Sequence, residues 1–123
     1  MSESKTPTLA ECKLGWKNHK IAIKNKSEEF NKPILFTEFG YRSVDFTGKE
    51  PWDSARIANA INFEGQTNAM QSLFEEFWDE EWFAGGFIWK WFINHENSGG
   101  ENDNRFTPQN KPVEQLIKAQ YGK

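Results

Sequence analysis

Apolar residues recur at helical steps in the first quarter of the chain. Leu9, Cys12, Trp16, Ile23 and Phe30 form one stripe, while Lys13, Lys17, Lys20 and Lys24 fall largely elsewhere. Thr8 followed three residues later by Glu11 has capping-box spacing, so a helix is expected to begin near Leu9. Pro33 ends it. The run from Pro33 to Gly40 that follows is short, β-branched and aromatic, and reads as a buried strand. Residues 41–62 are irregular and turn-rich, a long loop with room for one helical turn over 55–61. From Gln66 to Trp82 the helical period returns, with Met70, Leu73, Phe74, Phe77 and Trp78 on one face and Glu75, Glu76, Asp79 and Glu80 mostly on the other. Ala84 to Phe92 is a second strand candidate. After a loop over 93–106, Pro112 opens a last helix that Gly122 stops.

The order helix, strand, helix, strand, helix implies two parallel strands joined by a right-handed crossover, an α/β layout. Two parallel strands leave both edges open, and all-parallel sheets occur almost only with more strands and with helices on both faces. The pattern is that of part of a larger fold.

Composition narrows the function. With 123 residues, 37% hydrophobic and 27% charged, the chain is a globular sequence of one domain's length at most. A net charge of −3 argues against a nucleic-acid module, which carries a basic surface. No apolar run approaches the about 18 residues of a membrane span, and no basic segment leads into an apolar stretch at the start, so no membrane partner or export signal is expected and the compartment stays open. One cysteine, Cys12, makes neither an internal disulfide nor a zinc site, and His19 and His95 have no partner at ligand spacing. The Asn-rich stretch 94–105 lacks the carboxylate spacing of an EF-hand. No metal or cofactor is expected. Aromatic residues, however, make up 15% of the chain, more than a small core needs, and rings in such excess often line a binding surface.

Candidate chemistry gathers at one end of the two strands. Alternation puts Ile34, Phe36 and Glu38 on one face of the first strand, with Glu38 at its carboxyl end, and puts Phe87, Trp89 and Trp91 on one face of the second. In parallel α/β barrels the catalytic groups sit at that end. A carboxylate beside indole faces suits a sugar, whose C–H faces stack on rings and whose oxocarbenium-like transition state needs a carboxylate nearby. Tyr41, Arg42 and Trp52 follow in the loop that would border such a pocket, although turn packing accounts for them equally well. By the residues alone, Glu38 reads first as a structural carboxylate that accepts from loop N–H groups or pairs with Arg42, and only second as a reacting group.

The phrases KPILFTEFGYRS, Pro51-Trp52-Asp53, GGFIWKWF and TPQNKPVEQLI, with the helix carrying Gln66 between them, resemble the C-terminal portion of family 113 glycoside hydrolases. These are β-mannanase-like members of the retaining (β/α)8-barrel clan. The resemblance covers roughly Thr6 to Tyr121. It implies that residues 1–123 are a C-terminal fragment of a TIM-barrel domain whose strands seven and eight are the two found here. It also implies a mannan-directed retaining β-glycosidase with Glu38 as nucleophile and Trp89, rather than Trp91, as the floor of the sugar subsite. Trp91 then belongs to the rim or to the packing. The general acid/base, which the family carries after strand four, has no counterpart in the chain, so no turnover is expected from it alone. The partners implied are a β-linked oligo- or polysaccharide, together with the missing N-terminal part of the barrel or another copy of the chain. Two rivals stand beside this: a non-catalytic sugar-binding or assembly module, and a truncated gene product that aggregates through its strand edges.

Overall fold

In the computed structural model, residues 5–49 and 60–123 are described. Helix α1 spans Leu9–Phe30, and its N-terminus is closed by Thr8, whose hydroxyl accepts from the Glu11 N–H at 3.1 Å. It ends at Asn31, which adopts the left-handed conformation that lets its N–H reach back to the helix carbonyls. Strand β1 follows over Ile34–Phe39. Helix α2, Phe63–Phe77, starts three residues earlier than the periodicity predicts because Asn62 caps it, accepting from the Gly65 N–H at 2.9 Å. It also ends earlier. The stretch from Trp78 to Trp82, expected to be helical, is a turn that delivers the chain into β2.

Strand β2 covers Phe83–Ile88 rather than 84–92, so Trp89 and Trp91 lie beyond it. A 3₁₀ turn, His95–Asn97, interrupts the loop, and α3 spans Pro112–Tyr121 with proline in its first turn. The two strands pair in parallel, and α2 lies between them in sequence, giving the expected α/β order. Residues 50–59, which include Trp52 and most of the predicted helical turn, lie outside the described residues.

The core lies on one side of this sheet. Phe77 is fully buried and meets Trp16 and Phe36 with ring centroids 5.1 Å away in each case, and Phe83 at 5.5 Å, so α1, α2 and both strands converge on one ring. Cys12, Phe39, Met70, Leu73, Phe74, Val113 and Ile117 complete the buried cluster. Gly86 is needed where Phe39 crosses β2, since a Cβ there would stand 2.7 Å from the Phe39 ring. The lysines of α1 and the acids of α2, expected to be solvated faces, meet instead across the helix pair. Lys20 Nζ lies 3.4 Å from Glu76 on α2 and 3.0 Å from Glu80 in the turn that follows it, and Lys13 Nζ lies 3.8 Å from Glu75. Partial burial opposes the charge on Lys20, but the hydrogen bond and attraction of Glu80 and Glu76 outweigh it and raise its pKa.

The stripe on α1 is less simple than its spacing suggests. Phe30 is 64% exposed, and Leu14 and Ile21 stand out at 70% and 54%. On the sheet, Leu35 and Phe87 are exposed on the strands themselves. Large apolar side chains therefore face outward from both α1 and the sheet.

Candidate active site

A local irregularity sets the direction of Glu38. The register runs Phe36↔Gly86 and then Phe39↔Ile88, so three steps on β1 match two on β2, and β1 bulges at Thr37 and Glu38. Phe36 packs on Trp16, Phe77 and Phe83, and Phe39 packs on Phe74 and Trp78, so both belong to the helix-covered side. Plain alternation would have sent Glu38 after Phe36 into the helices. The extra residue reverses this, and Glu38 is exposed where the strand leaves the sheet. The expectation that Ile34, Phe36 and Glu38 share a face is thus corrected by the bulge. Among the described residues no hydrogen bond or ion pair engages the Glu38 carboxylate.

Trp89 is held against the same strand end by its backbone. Its N–H donates to the Phe39 carbonyl at 2.7 Å, and its own carbonyl passes so close to Gly40 that a Cβ there would sit 2.1 Å from the oxygen. The Trp89-Lys90 peptide is cis. The indole is 46% exposed, with the Lys90 ammonium 5.5 Å from its centroid. Glu38 and Trp89 therefore occupy the carboxyl ends of neighbouring parallel strands, both open to solvent. Trp91, 49% exposed, follows on the loop and stacks on His95, with ring centroids 6.3 Å apart and planes 15° apart.

Tyr41 and Arg42, expected in the loop that borders the pocket, are both buried. Tyr41 is 3% exposed within the core cluster, and burial raises its phenol pKa above the usual range. Arg42, 6% exposed, donates from Nε to the Asn104 carbonyl at 3.0 Å, and Ser43 Oγ donates to the Asp103 carbonyl at 2.6 Å. Their loop is thereby tied to the loop after β2, and of the two readings open for them, packing is the one their burial supports. Gln66, fully buried on α2, donates from Nε2 to the carbonyls of Tyr41 at 3.0 Å and Phe106 at 3.3 Å, stitching the two loops beneath the strand ends.

Lys111 works nearby. It donates to the Arg105 carbonyl at 3.0 Å, and burial pushes its ammonium down to about 8 despite the attraction of Asp103. Sequence reasoning missed Lys111 and Gln109 as organisers of these loops, since neither periodicity nor motif marks a buried polar side chain in a turn-rich segment. Among the described residues no three His, Cys, Asp or Glu side chains gather where they could hold a metal ion, and no helix is long and apolar enough to cross a membrane.

Comparison with known proteins gives the family and the fold. The profile of Glycoside Hydrolase Family 113 matches residues 2–111. No curated protein matches significantly. Among solved structures, a GH113 β-mannanase from Alicyclobacillus acidocaldarius, AaManA, solved in complex with ManMIm, shares 24% identity at a TM-score of 0.76 over 97% of this chain. Two further structures of GH113 β-1,4-mannanase, one a complex, share 22% and 23% identity at the same TM-score and coverage. In each case the chain spans 37% of the length of the solved protein. The α/β arrangement is thus part of a TIM barrel, and the chain belongs to Glycoside Hydrolase Family 113.

Proposed function

We propose that this chain supplies strands seven and eight of a retaining, mannan-directed β-glycosidase barrel, with Glu38 as nucleophile and Trp89 as the platform under the sugar. The observation that carries this reading is the bulge that turns Glu38 out of the helix-covered face, at the strand end where Trp89 is also exposed. Bulges next to active sites commonly re-aim a side chain in this way. In a retaining mechanism one carboxylate attacks the anomeric carbon while a second, about 5 to 5.5 Å away, protonates the leaving oxygen. Among the described carboxylates, Glu64 lies in the first turn of α2, Glu96 in the 3₁₀ turn and Glu101 in a loop, so none ends a third strand. The second carboxyl group is assigned to the six β/α units that complete the barrel, which are the partner this surface requires. β-linked mannan is the substrate class, by analogy with the GH113 β-mannanases that share the fold.

Two assays test this. The 123-residue chain is expected to release no product from mannan. Joined to the first six β/α units of a family 113 mannanase, it is expected to hydrolyse mannan, with Glu38→Gln lowering kcat at least about a thousandfold. Hydrolysis by the chain alone, abolished by Glu38→Gln, would overturn the two-part reading, and full activity of the joined Glu38→Gln protein would remove the nucleophile assignment. The exposed indoles favour a second reading, a sugar-binding module without chemistry. Saturable oligosaccharide binding by the chain that survives Glu38→Gln but not Trp89→Ala, with no turnover in the joined protein, selects it.

A further inference from the structure

The loop after β2 presents Trp89, Trp91 and Ile93 to solvent, with Ile93 fully exposed. A loop of this composition would ordinarily fold its rings inward, because each exposed indole leaves a large apolar area in water. Here the backbone is held instead. The Phe92 N–H donates to Gln109 Oε1 at 2.7 Å, and Gln109 Nε2 donates to the Phe92 carbonyl at 3.0 Å, so one side-chain amide pairs with both backbone groups of one residue, as a neighbouring strand would.

The remaining valences of that amide are also used. Thr107 Oγ1 donates to Oε1 at 2.8 Å, and the second Nε2 hydrogen points to His95 Nδ1 at 3.1 Å. Gln109 is fully buried, and all four hydrogen-bonding positions of its side chain are filled. Its orientation has no alternative, because a flipped amide would set oxygen against the Phe92 carbonyl. The network also fixes the imidazole. An amide nitrogen can only donate, so Nδ1 must accept and the ring hydrogen sits on Nε2, which lies 3.5 Å from Glu114 Oε1. Asn110 Nδ2 donates to the His95 and Ser98 carbonyls, both at 2.8 Å, and fixes the backbone under the ring. Trp91 stacks on the imidazole held in this way.

From this arrangement we infer that Gln109 is a positioning residue, acting through His95, that holds Trp91 as a second aromatic platform for the sugar unit next to the one on Trp89. The inference rests on the reading of Trp89 as a sugar platform. The ligand is a β-linked oligosaccharide long enough to reach both indoles.

The test uses the full 123-residue chain, ¹⁵N-labelled, with the Trp89 and Trp91 indole N–H lines assigned through Trp89→Phe and Trp91→Phe. Without sugar, Gln109→Glu removes both Nε2 donors and is expected to shift and broaden the Trp91 line and the Phe92 amide. His95→Ala is expected to move the Trp91 line alike but leave the Phe92 amide in place. The double variant should move Trp91 no further than either single one, the non-additivity expected of residues in one network. Additive shifts, or a Trp91 line unmoved by His95→Ala, overturn the positioning role. If Gln109→Glu does not fold, the exposed His95→Ala variant decides alone.

With sugar, mannobiose is expected to move only the Trp89 line, and mannotetraose both. His95→Ala should weaken mannotetraose about fivefold and leave mannobiose unchanged. Movement of Trp89 alone by mannotetraose overturns the second platform while leaving the first intact. Movement of neither line removes both platforms, and the sugar-free arm still judges the hold of Gln109 on Trp91.

Discussion

Lys111 carries a buried ammonium, and its energetics follow from where its proton is held. Burial lowers its pKa from 10.5 to about 8, so between those values the unfolded chain binds the proton that the folded chain has released, and stability rises with pH. Cys12 and Tyr41 act in the opposite direction. Burial raises both above their ordinary 9.0 and 10.0, so above each value the unfolded chain loses a proton that the folded one keeps. Stability is therefore expected to climb from about pH 8 to 9, level off to about 10, and fall beyond. Urea midpoints measured across this range check it. Lys111→Met should abolish the climb and Cys12→Ala should extend it towards pH 10, and a wild-type midpoint that is flat from pH 7.5 to 9 would refute the assignment. Glu38 and Trp89, by contrast, stand out as candidates at this scale from residue type and strand position, whereas the roles proposed for them come from the family resemblance. Gln109 does not stand out, since its role depends on partners 14 and 17 residues away in sequence.

Helix caps show how far a single element can be read. Thr8 closes α1 with one hydrogen bond to a backbone N–H, which the capping-box spacing anticipates. Asn62 closes α2 and does more. Its Nδ2 also donates to Thr6 Oγ1 at 2.7 Å and Asp45 Oδ1 at 2.9 Å, joining the segment before α1 and the loop after β1 to the start of α2. Thr8→Ala is expected to cost about 1 kcal/mol, the usual worth of a cap, and Asn62→Ala about 2 kcal/mol or more, because it also leaves partly buried groups unpaired. Denaturant titration of both variants ranks them, and equal losses would show that the side-chain ties of Asn62 add nothing. The strands resisted reading for a related reason. A period of two gives the faces of a regular strand, but the bulge at Thr37 and Glu38 comes from pairing with β2, which no local window contains.

At the scale of the whole molecule, the core covers one side of a two-stranded sheet and leaves Leu35 and Phe87 exposed on the strands and Leu14 and Ile21 on α1. In a closed barrel such strands have neighbours on both edges and packed side chains within. A chain that presents these surfaces alone is expected to associate with itself. Sedimentation velocity should show an average mass that grows with concentration, and Phe87→Lys should shift the distribution towards monomer. A single monomer boundary at every concentration would disprove this.

The sequence by itself determined the order of elements, the parallel pairing implied by a helical crossover, the family phrase around Glu38 and the need for more strands than two. The family phrase is a likeness of residues to a known pattern, and the others follow from periodicity, caps and chain connectivity, which act over a few residues or along the chain. Tertiary structure decided that β2 stops at Ile88, that Tyr41 and Arg42 are buried, that the charged faces of α1 and α2 meet, and that Glu38 points outward. These outcomes depend on which distant groups compete for the same buried space and the same hydrogen bonds, and that competition is settled only when the chain is packed.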